Sequence, residues 1–395
     1  MDDRRRHVVV AGAGVAGLET ALALHALAPE HVSVELIAPE DEFVYRPLAV
    51  AEPFHVGEVR RFPLERLVAA AGAELRHGAL VGVDPDEKRA ALADGGTVEY
   101  DVLVLALGGR PLPAVPGALT FRGQREDSEE LARVLERLTT GDLKRLVYAV
   151  AAGSTWPLPL YELALLTGEY VSEHLAQAEL TVVTPEEQPL ALFGTKASEA
   201  MAQLLDMRGI GFRAASPPAA FEDGVLRLAD GGKVAADAVV ALPLLEGAPL
   251  DGIPQDEHGF VPTDEFGRVA ALTDVYAAGD LIQSSIKQGG IAAQEADAVA
   301  EAIAADAGAA VQPNPCHPVL RGLLFTGFVP RFLRHEEGGV SLVDTQPLWW
   351  PPGKIVGRYL SPFLAEHLGL ATSGPPPTDA LPVEVAVDRP AWTPI

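Results

Sequence analysis

The chain has 395 residues, of which 48% are hydrophobic, and carries 55 acidic against 30 basic side chains, a formal net charge of −25. This length and apolar content predict two or three domains with real cores and exclude intrinsic disorder, while the negative charge makes nucleic acid an unsuitable partner. The single cysteine, Cys316, excludes an intrachain disulfide, a dithiol redox pair and a cysteine-ligated metal site, so no metal is expected.

No targeting or membrane-spanning segment is expected. Residues 1–6 are charged and lead into a strand, which is unlike the apolar stretch and cleavage site of a signal peptide. The sequence also lacks a run of about 18 uncharged apolar residues that could cross a bilayer as a helix. We therefore expect a cytoplasmic protein, with peripheral membrane contact as the alternative.

The first predicted unit is a strand, a glycine turn and a helix. Residues 7–11 form a β-branched run, Gly12-Ala-Gly14-Val-Ala-Gly17 follows, and residues 18–27 favour a helix before the next strand at 31–38. A G-x-G-x-x-G motif alone is weak evidence. Because this one follows a strand and opens a helix within a unit of about 30 residues, it predicts a dinucleotide site rather than a plain glycine-rich turn.

Each glycine of this loop has an expected role. Gly12 would allow the tight turn, Gly14 the close approach of a pyrophosphate to the helix N-terminus, and Gly17 the packing of helix on strand. An acid that binds the ribose hydroxyls is expected about 20 residues further on. We assign this role to Glu40, because Glu35 is expected to point into or along the strand; the alternative is that Glu40 is an ordinary loop glutamate.

An internal repeat organises the middle of the chain. Residues 93–105 and 229–241 both read as an Asp-Gly-Gly turn between two strands, followed by a buried apolar strand, at an offset of 136 residues. A similar step from the glycine loop leads to a strand at 145–153 and a helix from Tyr161 onward. The matched order predicts an α/β fold with two Rossmann-like dinucleotide-binding domains, each with an inserted β-meander, plus a small C-terminal segment.

The second unit has lost its glycines. The three positions are occupied by Thr155, Pro157 and Leu160, whose side chains block the approach of a phosphate and whose proline removes an N–H donor. Trp156 lies among them, either as a plug of a nicotinamide site or as a packing residue. Glu186, after the next strand, either meets a ribose or is one of several loop acids. A standard dinucleotide pose on this half is not expected.

A third segment completes the first unit. A strand from residue 273 ends at Gly279-Asp280, which places a carboxylate beyond the sheet edge, where it can accept hydrogen bonds from polyol hydroxyls. Gly289 and Gly290 then open an alanine-rich helix that reaches residue 307. Backbone N–H groups at such a helix end stabilise negative charge that develops on a bound group.

Three motifs together resemble those of the flavoprotein family of pyridine nucleotide oxidoreductases with two dinucleotide-binding domains: Gly12 to Gly17, Tyr100 to Gly108, and Val275 to Asp280. Phe43-Val-Tyr-Arg46-Pro47-Leu and Lys287-Gln288-Gly289-Gly290-Ile-Ala-Ala-Gln294 resemble the branch of type II NADH dehydrogenases and sulfide–quinone reductases. The resemblance covers roughly residues 7–310 and implies FAD as the cofactor.

The resemblance also implies a set of FAD contacts. The pyrophosphate would lie on the first glycine loop, the ribityl chain on Asp280, the adenine on the backbone near Leu80, and the isoalloxazine between Pro47 and the segment at Lys287 to Gly289. Lys287 and Gln288 are the candidate catalytic residues, which would tune the flavin and touch the acceptor. The candidate cofactor-binding residues are Gly12, Gly14, Gly17, Glu40, Arg46, Pro47, Leu80, Gly108, Gly279, Asp280, Gly289 and Gly290.

The implied activity is two-electron flavin chemistry, with electrons passed to a quinone-like acceptor from an unidentified small-molecule donor. Residues 43–50 contain no cysteine, which excludes the disulfide reductases of the family, and Cys316 alone cannot cycle the disulfide that sulfide oxidation by the family route needs. NAD(P)H is not favoured, because the second glycine loop is lost. The alternatives are an NAD(P)H dehydrogenase of the same fold and a non-catalytic flavin-binding protein with a closed second site.

The predicted FAD-binding domain is discontinuous and comprises residues 1–120 and 241–310, while residues 121–240 form the second, degenerate domain. Residues 311–395 form the C-terminal segment, with a strand at 320–326 and an extended Pro-rich tail from residue 373.

The aromatic part of the C-terminal segment has two interpretations. Trp349 and Trp350 beside Lys354 and Arg358 would suit a weak peripheral contact with a membrane surface. The alternative is a core or homodimer-forming element, which the acidic composition favours.

Overall fold

Two five-stranded parallel sheets form the framework of this computed structural model, which describes residues 5–369. Their strands are rich in valine and leucine, which suit strands buried on both faces. The N-terminal part contributes a 3-10 helix (Arg46–Phe54), the helices α1 (Val15–Leu27) and α2 (Leu64–Ala70), and the strands β1 (Arg6–Ala11), β2 (Val32–Ala38), β3 (Glu42–Tyr45), β4 (Arg60–Pro63), β5 (Glu74–His77), β6 (Leu80–Asp84), β7 (Arg89–Leu92), β8 (Thr97–Glu99), β9 (Val102–Leu105) and β10 (Gly109–Leu112).

The middle of the chain repeats this order, and the last part returns to the first sheet before it forms a small sheet of its own. The middle elements are a 3-10 helix (Ala191–Phe193), α3 (Arg125–Thr139), α4 (Leu158–Glu173), α5 (Thr195–Met207), β11 (Leu119–Thr120), β12 (Arg145–Ala149), β13 (Glu179–Val183), β14 (Gly211–Arg213), β15 (Pro218–Glu222), β16 (Val225–Leu228), β17 (Lys233–Ala235), β18 (Ala238–Ala241) and β19 (Leu244–Gly247). The last elements are β20 (Val275–Ala277), a 3-10 turn (Gly279–Leu281), α6 (Gly289–Asp306), β21 (Leu320–Leu324), β22 (Arg331–His335), β23 (Leu342–Asp344) and α7 (Leu360–His367).

The first sheet has the strand order β20-β9-β1-β2-β5, and all its strands are parallel. The helices α1 and α6 pack against each other and cover one face of β1 and β9. Ala11, Leu105 and Ala277 are register partners at the carboxyl ends of β1, β9 and β20. The three loops that follow these strands therefore leave the sheet at one edge, which is where ligands bind in sheets of this kind.

The second sheet has the order β11-β18-β12-β13-β14 and repeats the first, with β12 in the place of β1. Each half also carries a three-stranded antiparallel meander, β6-β7-β8 or β15-β16-β17. In each meander an aspartate, Asp94 or Asp230, accepts a hydrogen bond of 2.8 Å from the N–H of the glycine two residues on. The duplicated α/β architecture that the sequence repeat predicts is confirmed.

Two boundaries differ from the sequence-based expectation. The helix α4 begins at Leu158 rather than at Tyr161, because prolines are accepted in the first turn of a helix, where their missing N–H has no partner to lose. The strand Leu119–Thr120 pairs with β18 and so belongs to the second sheet, while β10 and β19 form an antiparallel ribbon between the two halves. The domain boundaries at 120 and 241 stay a prediction.

The C-terminal segment lies across both halves of the molecule. Its strands β21, β22 and β23 form an antiparallel sheet, and β21 agrees with the strand expected at 320–326. The strand β21 contacts α4 and α6, and α7 contacts α1. No helix within residues 5–369 is both long and apolar enough to cross a membrane. The Pro-rich tail predicted from residue 373 lies outside the described residues.

Lys354 is buried, which does not fit a cation at a membrane surface and agrees with the core element that the acidic composition favours. It is 7% exposed, and its Nζ donates a hydrogen bond of 2.6 Å to Oε2 of Glu162 on α4. Trp349 packs edge-on against Phe332, whereas Trp350 remains 40% exposed. Because Glu162 neutralises the charge of Lys354, the chain around Lys354 belongs to the core.

Candidate active site

The first glycine loop is shaped by two close backbone contacts and one open position. A Cβ on Gly12, whose φ is +111°, would lie 2.2 Å from the carbonyl oxygen of Ala106, and one on Gly17 would lie 1.9 Å from that of Gly12. Gly14 is the N-cap of α1, and a Cβ there would meet no atom within 4 Å. Gly12 and Gly17 are therefore required by the fold, whereas Gly14 leaves the helix N-terminus open to a ligand.

Gly279 and Asp280 follow β20 at the same sheet edge, as the sequence predicts. The N–H of Gly279 donates a hydrogen bond of 2.8 Å to Oε2 of Glu295, whose pKa burial raises to about 7. Burial also raises the pKa of the Asp280 carboxyl, although the positive charges of Lys287 and Arg46 oppose the shift. Poorly hydrated charged groups gathered beside a loop in this way are typical of functional sites.

Lys287 and Gln288 are both held by other parts of the chain. The Nζ of Lys287 donates to the carbonyl of Ile282 and lies 3.9 Å from the ring centroid of Phe260. Burial lowers the pKa of this ammonium group. The side chain of Gln288 caps α6, since its Oε1 accepts a hydrogen bond of 2.9 Å from the N–H of Ile291. Lys287 and Gln288 are therefore held in place, where the one contributes a positive charge and the other caps the N-terminus of α6.

A cavity of about 280 Å³ lies where the first sheet edge, α4 and the C-terminal segment meet. Trp156 and Glu162 line it from the second half, and Lys354 and Ile355 line it from the C-terminal segment. Motifs from separate parts of the sequence therefore converge here. Of the predicted site residues, the cavity brings together Arg46, Pro47, Asp280, Lys287, Gln288 and Gly289.

Gly289, at the start of α6, has a packing role that the sequence does not reveal. A Cβ on Gly289 would lie 3.0 Å from Cγ1 of Ile355, and one on Gly290 would lie 3.5 Å from the backbone nitrogen of Val356. Glycine at position 289 therefore lets Ile355 lie directly on the N-terminus of α6, whereas the distance at position 290 is an ordinary contact.

Sequence reasoning missed the ion pair between Glu162 and Lys354. Glu162 is fully buried, and its Oε1 also accepts a hydrogen bond of 2.8 Å from the N–H of Phe325. Burial raises the pKa of Glu162 and lowers that of Lys354, and the charge of each partner opposes the shift of the other. The partners are 192 residues apart, so no local pattern could have joined them.

In the second domain, side chains fill the loop that corresponds to the first glycine loop. Leu160, at the place of the third glycine, is fully buried. The hydroxyl of Tyr161 donates a hydrogen bond of 2.5 Å to Oε2 of Glu186, the acid that could have met a ribose. Trp156 lies with its ring centroid 5.7 Å from that of Phe193, as a packing residue would. The geometry supports a closed second site.

The remaining predicted residues lie outside the cavity. Glu40 is exposed in the loop after β2, and Leu80 is half-buried at the start of β6. Glu35 is buried and hydrogen-bonded to Arg76, so it is not open to a ribose. Gly108 has a φ of +73°, and a Cβ there would point into open space.

Neither a reactive thiol nor a metal cluster is evident. Burial raises the pKa of the Cys316 thiol to about 12, which keeps it protonated and unreactive near neutral pH. Within residues 5–369, no group of three or more His, Cys, Asp or Glu side chains is placed to hold a metal ion.

Known proteins resemble this chain in sequence and in fold. An NADH dehydrogenase-like protein of Mycobacterium tuberculosis is 28% identical over 307 residues, which are 69% of this chain and 72% of that protein. The demethylphylloquinone reductase of Synechocystis sp. is 33% identical over 168 residues, 39% of this chain, and is matched over only 41% of its own length. The structure of the sulfide:quinone oxidoreductase from Aquifex aeolicus has a TM-score of 0.77 at 20% identity, covering 86% of this chain and 87% of that one.

The residues of the first half fit FAD. Gly14 leaves room for a pyrophosphate at the N-terminus of α1, and Asp280 offers a carboxyl group to a polyol chain at the same sheet edge. The family described as pyridine nucleotide-disulphide oxidoreductase matches residues 6–296, which include both parallel sheets. The chain therefore belongs to the pyridine nucleotide-disulphide oxidoreductase family and is an FAD-dependent oxidoreductase.

Proposed function

We propose that this protein passes two electrons from FAD to a quinone-like acceptor that binds on the side of the cavity formed by α4 and the C-terminal segment, beside the flavin position at Pro47 and Lys287 to Gly289. FAD supplies the two-electron chemistry when it is bound. The observation that carries the proposal is the buried pair of Glu162 and Lys354 in the cavity wall, since a quinone takes up protons as well as electrons. Two relatives act on quinones by their names, which supports the same class of acceptor.

The cavity wall suits a flat, apolar ring. Its apolar lining includes Phe121, Trp156, Leu158, Leu242 and Ile355. Aromatic and aliphatic walls with a few polar groups are typical of sites for small apolar ligands. A quinone ring is flat and apolar apart from its two carbonyl oxygens. It therefore matches an apolar wall that carries one proton donor, Lys354.

The ion pair can hold and move a proton beside the acceptor. Because burial lowers the pKa of the Lys354 ammonium, this group gives up a proton more readily than an exposed lysine does. Because burial raises the pKa of Glu162, the carboxylate can take the same proton across the 2.6 Å between Nζ and Oε2. The pair holds one such proton on either partner, so it suits the delivery of one proton to the acceptor.

Anaerobic reoxidation of the reduced holoprotein tests the proposal. Photoreduced protein is mixed with menadione, a soluble quinone, and the return of oxidised flavin absorbance is followed by stopped flow. We expect the rate to saturate with menadione concentration, as it does when the acceptor binds before it reacts. A rate that rises linearly and matches that of free reduced FAD would contradict the proposal and favour a non-catalytic flavin-binding protein.

Gly14→Ala is expected to weaken FAD binding without unfolding the apoprotein. The φ of Gly14 is −78°, which alanine adopts freely, and the added methyl meets no protein atom, but it occupies the space that the pyrophosphate needs. We expect the Kd for FAD to rise roughly tenfold or more, about 1.4 kcal/mol, in a fluorescence titration. The apoprotein Tm should stay near the wild-type value.

Gly17→Ala is the matched control for this prediction. Its Cβ would lie 1.9 Å from a backbone carbonyl oxygen, so the apoprotein Tm should fall as well. A Gly14→Ala variant that binds FAD as tightly as wild type would show that the pyrophosphate does not approach this loop.

A further inference from the structure

A buried carboxylate outside the cavity holds the start of α7. Glu19, on α1, is fully buried, and its two oxygens accept hydrogen bonds of 2.8 Å from the N–H groups of Tyr359 and Leu360. Gly357 lies so close that a Cβ there would be 2.4 Å from Oε2 of Glu19. Because the first N–H groups of a helix have no partner within it, this carboxylate caps α7 from a distant part of the chain.

Hydrogen bonds continue from the start of α7 to the cavity. The Oγ of Ser361 accepts from the N–H of Gly357 at 2.7 Å and donates to the carbonyl of Ile355 at 2.9 Å. The N–H of Ile355 in turn donates to the hydroxyl of Tyr45 at 2.9 Å. Since Lys354 is the preceding residue, its placement in the cavity wall depends on how firmly α7 is anchored.

A second, half-buried acid completes the anchor. Asp297, on α6, hydrogen-bonds Glu19, and its Oδ1 is buried without a hydrogen-bond partner in the described part of the chain. A hydrogen bond between two carboxyl groups requires one proton. Burial raises the pKa of both carboxyl groups, and burial together with the charge of Glu19 raises that of Asp297 to about 8, so near neutral pH the two acids share one proton.

The other charged groups that face the two acids come from α6 and the C-terminal segment. Glu301, one turn further along α6, pairs with Arg358 at 3.0 Å. Arg358 favours the ionised form of Asp297, whereas Glu301 opposes it. The phenol of Tyr359 stays neutral, since burial raises its pKa. The proton that the two acids share therefore sets the charge at the anchor.

Helix packing alone does not require these acids. The helices α1 and α6 otherwise meet through small apolar residues such as Ala16, Ala292 and Ala296. An apolar pair in place of Glu19 and Asp297 would join the helices without desolvating two carboxyl groups. A buried and a half-buried acid at this position therefore indicate a role at the N-terminus of α7.

We propose that Glu19, with its partner Asp297, is a positioning residue for the acceptor side of the cavity: it anchors α7 and thereby fixes Lys354 against Glu162. The inference rests on the proposed function, because a displaced Lys354 matters for the protons that an acceptor takes up. Acceptor reduction then depends on two acids that do not line the cavity.

Three variants separate the parts of this anchor. Glu19→Gln keeps the shape of the side chain but offers one oxygen to two N–H groups, so α7 should loosen. Asp297→Asn still donates to Glu19 through its amide and no longer titrates. Glu301→Gln is the matched control, because Glu301 lies on the same helix and contacts the same segment through Arg358 but does not cap α7.

Reoxidation by menadione is measured for all four proteins between pH 6.5 and 9.5 at equal FAD content. We expect the wild-type rate to fall above about pH 8, where Asp297 loses its proton and repels Glu19, and Asp297→Asn to keep its rate. Glu19→Gln should be roughly tenfold slower throughout. Glu301→Gln should keep the wild-type rate at pH 6.5 but lose it at a lower pH than wild type, because the charge of Glu301 opposes the ionisation of Asp297. An Asp297→Asn profile that falls like wild type, or Glu19→Gln at the wild-type rate, would overturn the proposal.

Hydrogen exchange of residues 354–361 gives a second readout that needs no acceptor. We expect faster exchange in Glu19→Gln than in wild type at pH 7, and no change in Glu301→Gln. If exchange responds in this way but menadione does not reoxidise the wild type, the proposed function fails and the anchor stands. If menadione reacts and exchange in Glu19→Gln equals that of wild type, the anchor fails and the proposed function stands.

Discussion

Replacing Lys354 by methionine is expected to lower the free energy of unfolding by about 3–5 kcal/mol, because it removes the cation from a fully buried carboxylate. Methionine matches the aliphatic stem of lysine, so little packing is lost with the charge. The hydrogen bond from Phe325 to Glu162 remains, but a backbone N–H does not neutralise a buried charge. Urea denaturation of the apoprotein measures the difference.

Lys88→Met is the matched control. Lys88 pairs with Asp274 at the same kind of distance, 2.6 Å, but its side chain is 40% exposed. Because water solvates both exposed charges when the pair is broken, we expect the free energy of unfolding to fall by about 1 kcal/mol or less. Equal losses in the two variants would show that Glu162 becomes protonated, and not stranded as an anion, when Lys354 is removed.

The double variant Glu162→Gln/Lys354→Met separates stability from chemistry. Without either charge no ion is left unpaired, so most of the lost stability should return. Reoxidation by menadione should nevertheless be about 10²-fold slower than in wild type, because both proton carriers are gone from the cavity wall. A double variant that regains both stability and rate would confine the pair to a structural role.

Local signals in the sequence predicted the framework of the fold. The glycine loop at 12–17 and the Asp-Gly-Gly turns at 94–96 and 230–232 are set by residues within a few positions of one another, and the structure places them as predicted. The alternation of strand, loop and helix also repeats at a fixed offset, so the duplicated sheet follows from the pattern alone.

The sequence could not show the buried contacts between residues that are far apart in the chain. Lys354 follows Pro-Pro-Gly and precedes a basic residue at 358, which is typical of an exposed turn. Its burial depends on Glu162, which is 192 residues away, and Glu19 is separated from Leu360 by 341 residues. Both acids lie in apolar helical stretches, where a single-sequence pattern gives no sign of the partner that satisfies them.

The closed second half gives a prediction about the electron donor: NADH and NADPH should fail to bleach the oxidised holoprotein under anaerobic conditions. Leu160 fills the space of the third glycine and Pro157 lacks the N–H of the second, so the loop cannot cradle a pyrophosphate. Photoreduction of the same sample is the control that shows the flavin to be competent.

Removing the indole alone should not open this site. Trp156→Gly leaves Leu160 in place and leaves Glu186 bonded to the Tyr161 hydroxyl, so this variant should stay as unreactive towards NADH as wild type. Adding Leu160→Gly removes the plug at the helix start, at a loss of about 2–5 kcal/mol for the cavity it leaves in the core. Bleaching by NADH in wild type would contradict this reasoning, because a nicotinamide nucleotide would then have to reach the flavin without the glycine loop that normally holds its phosphates.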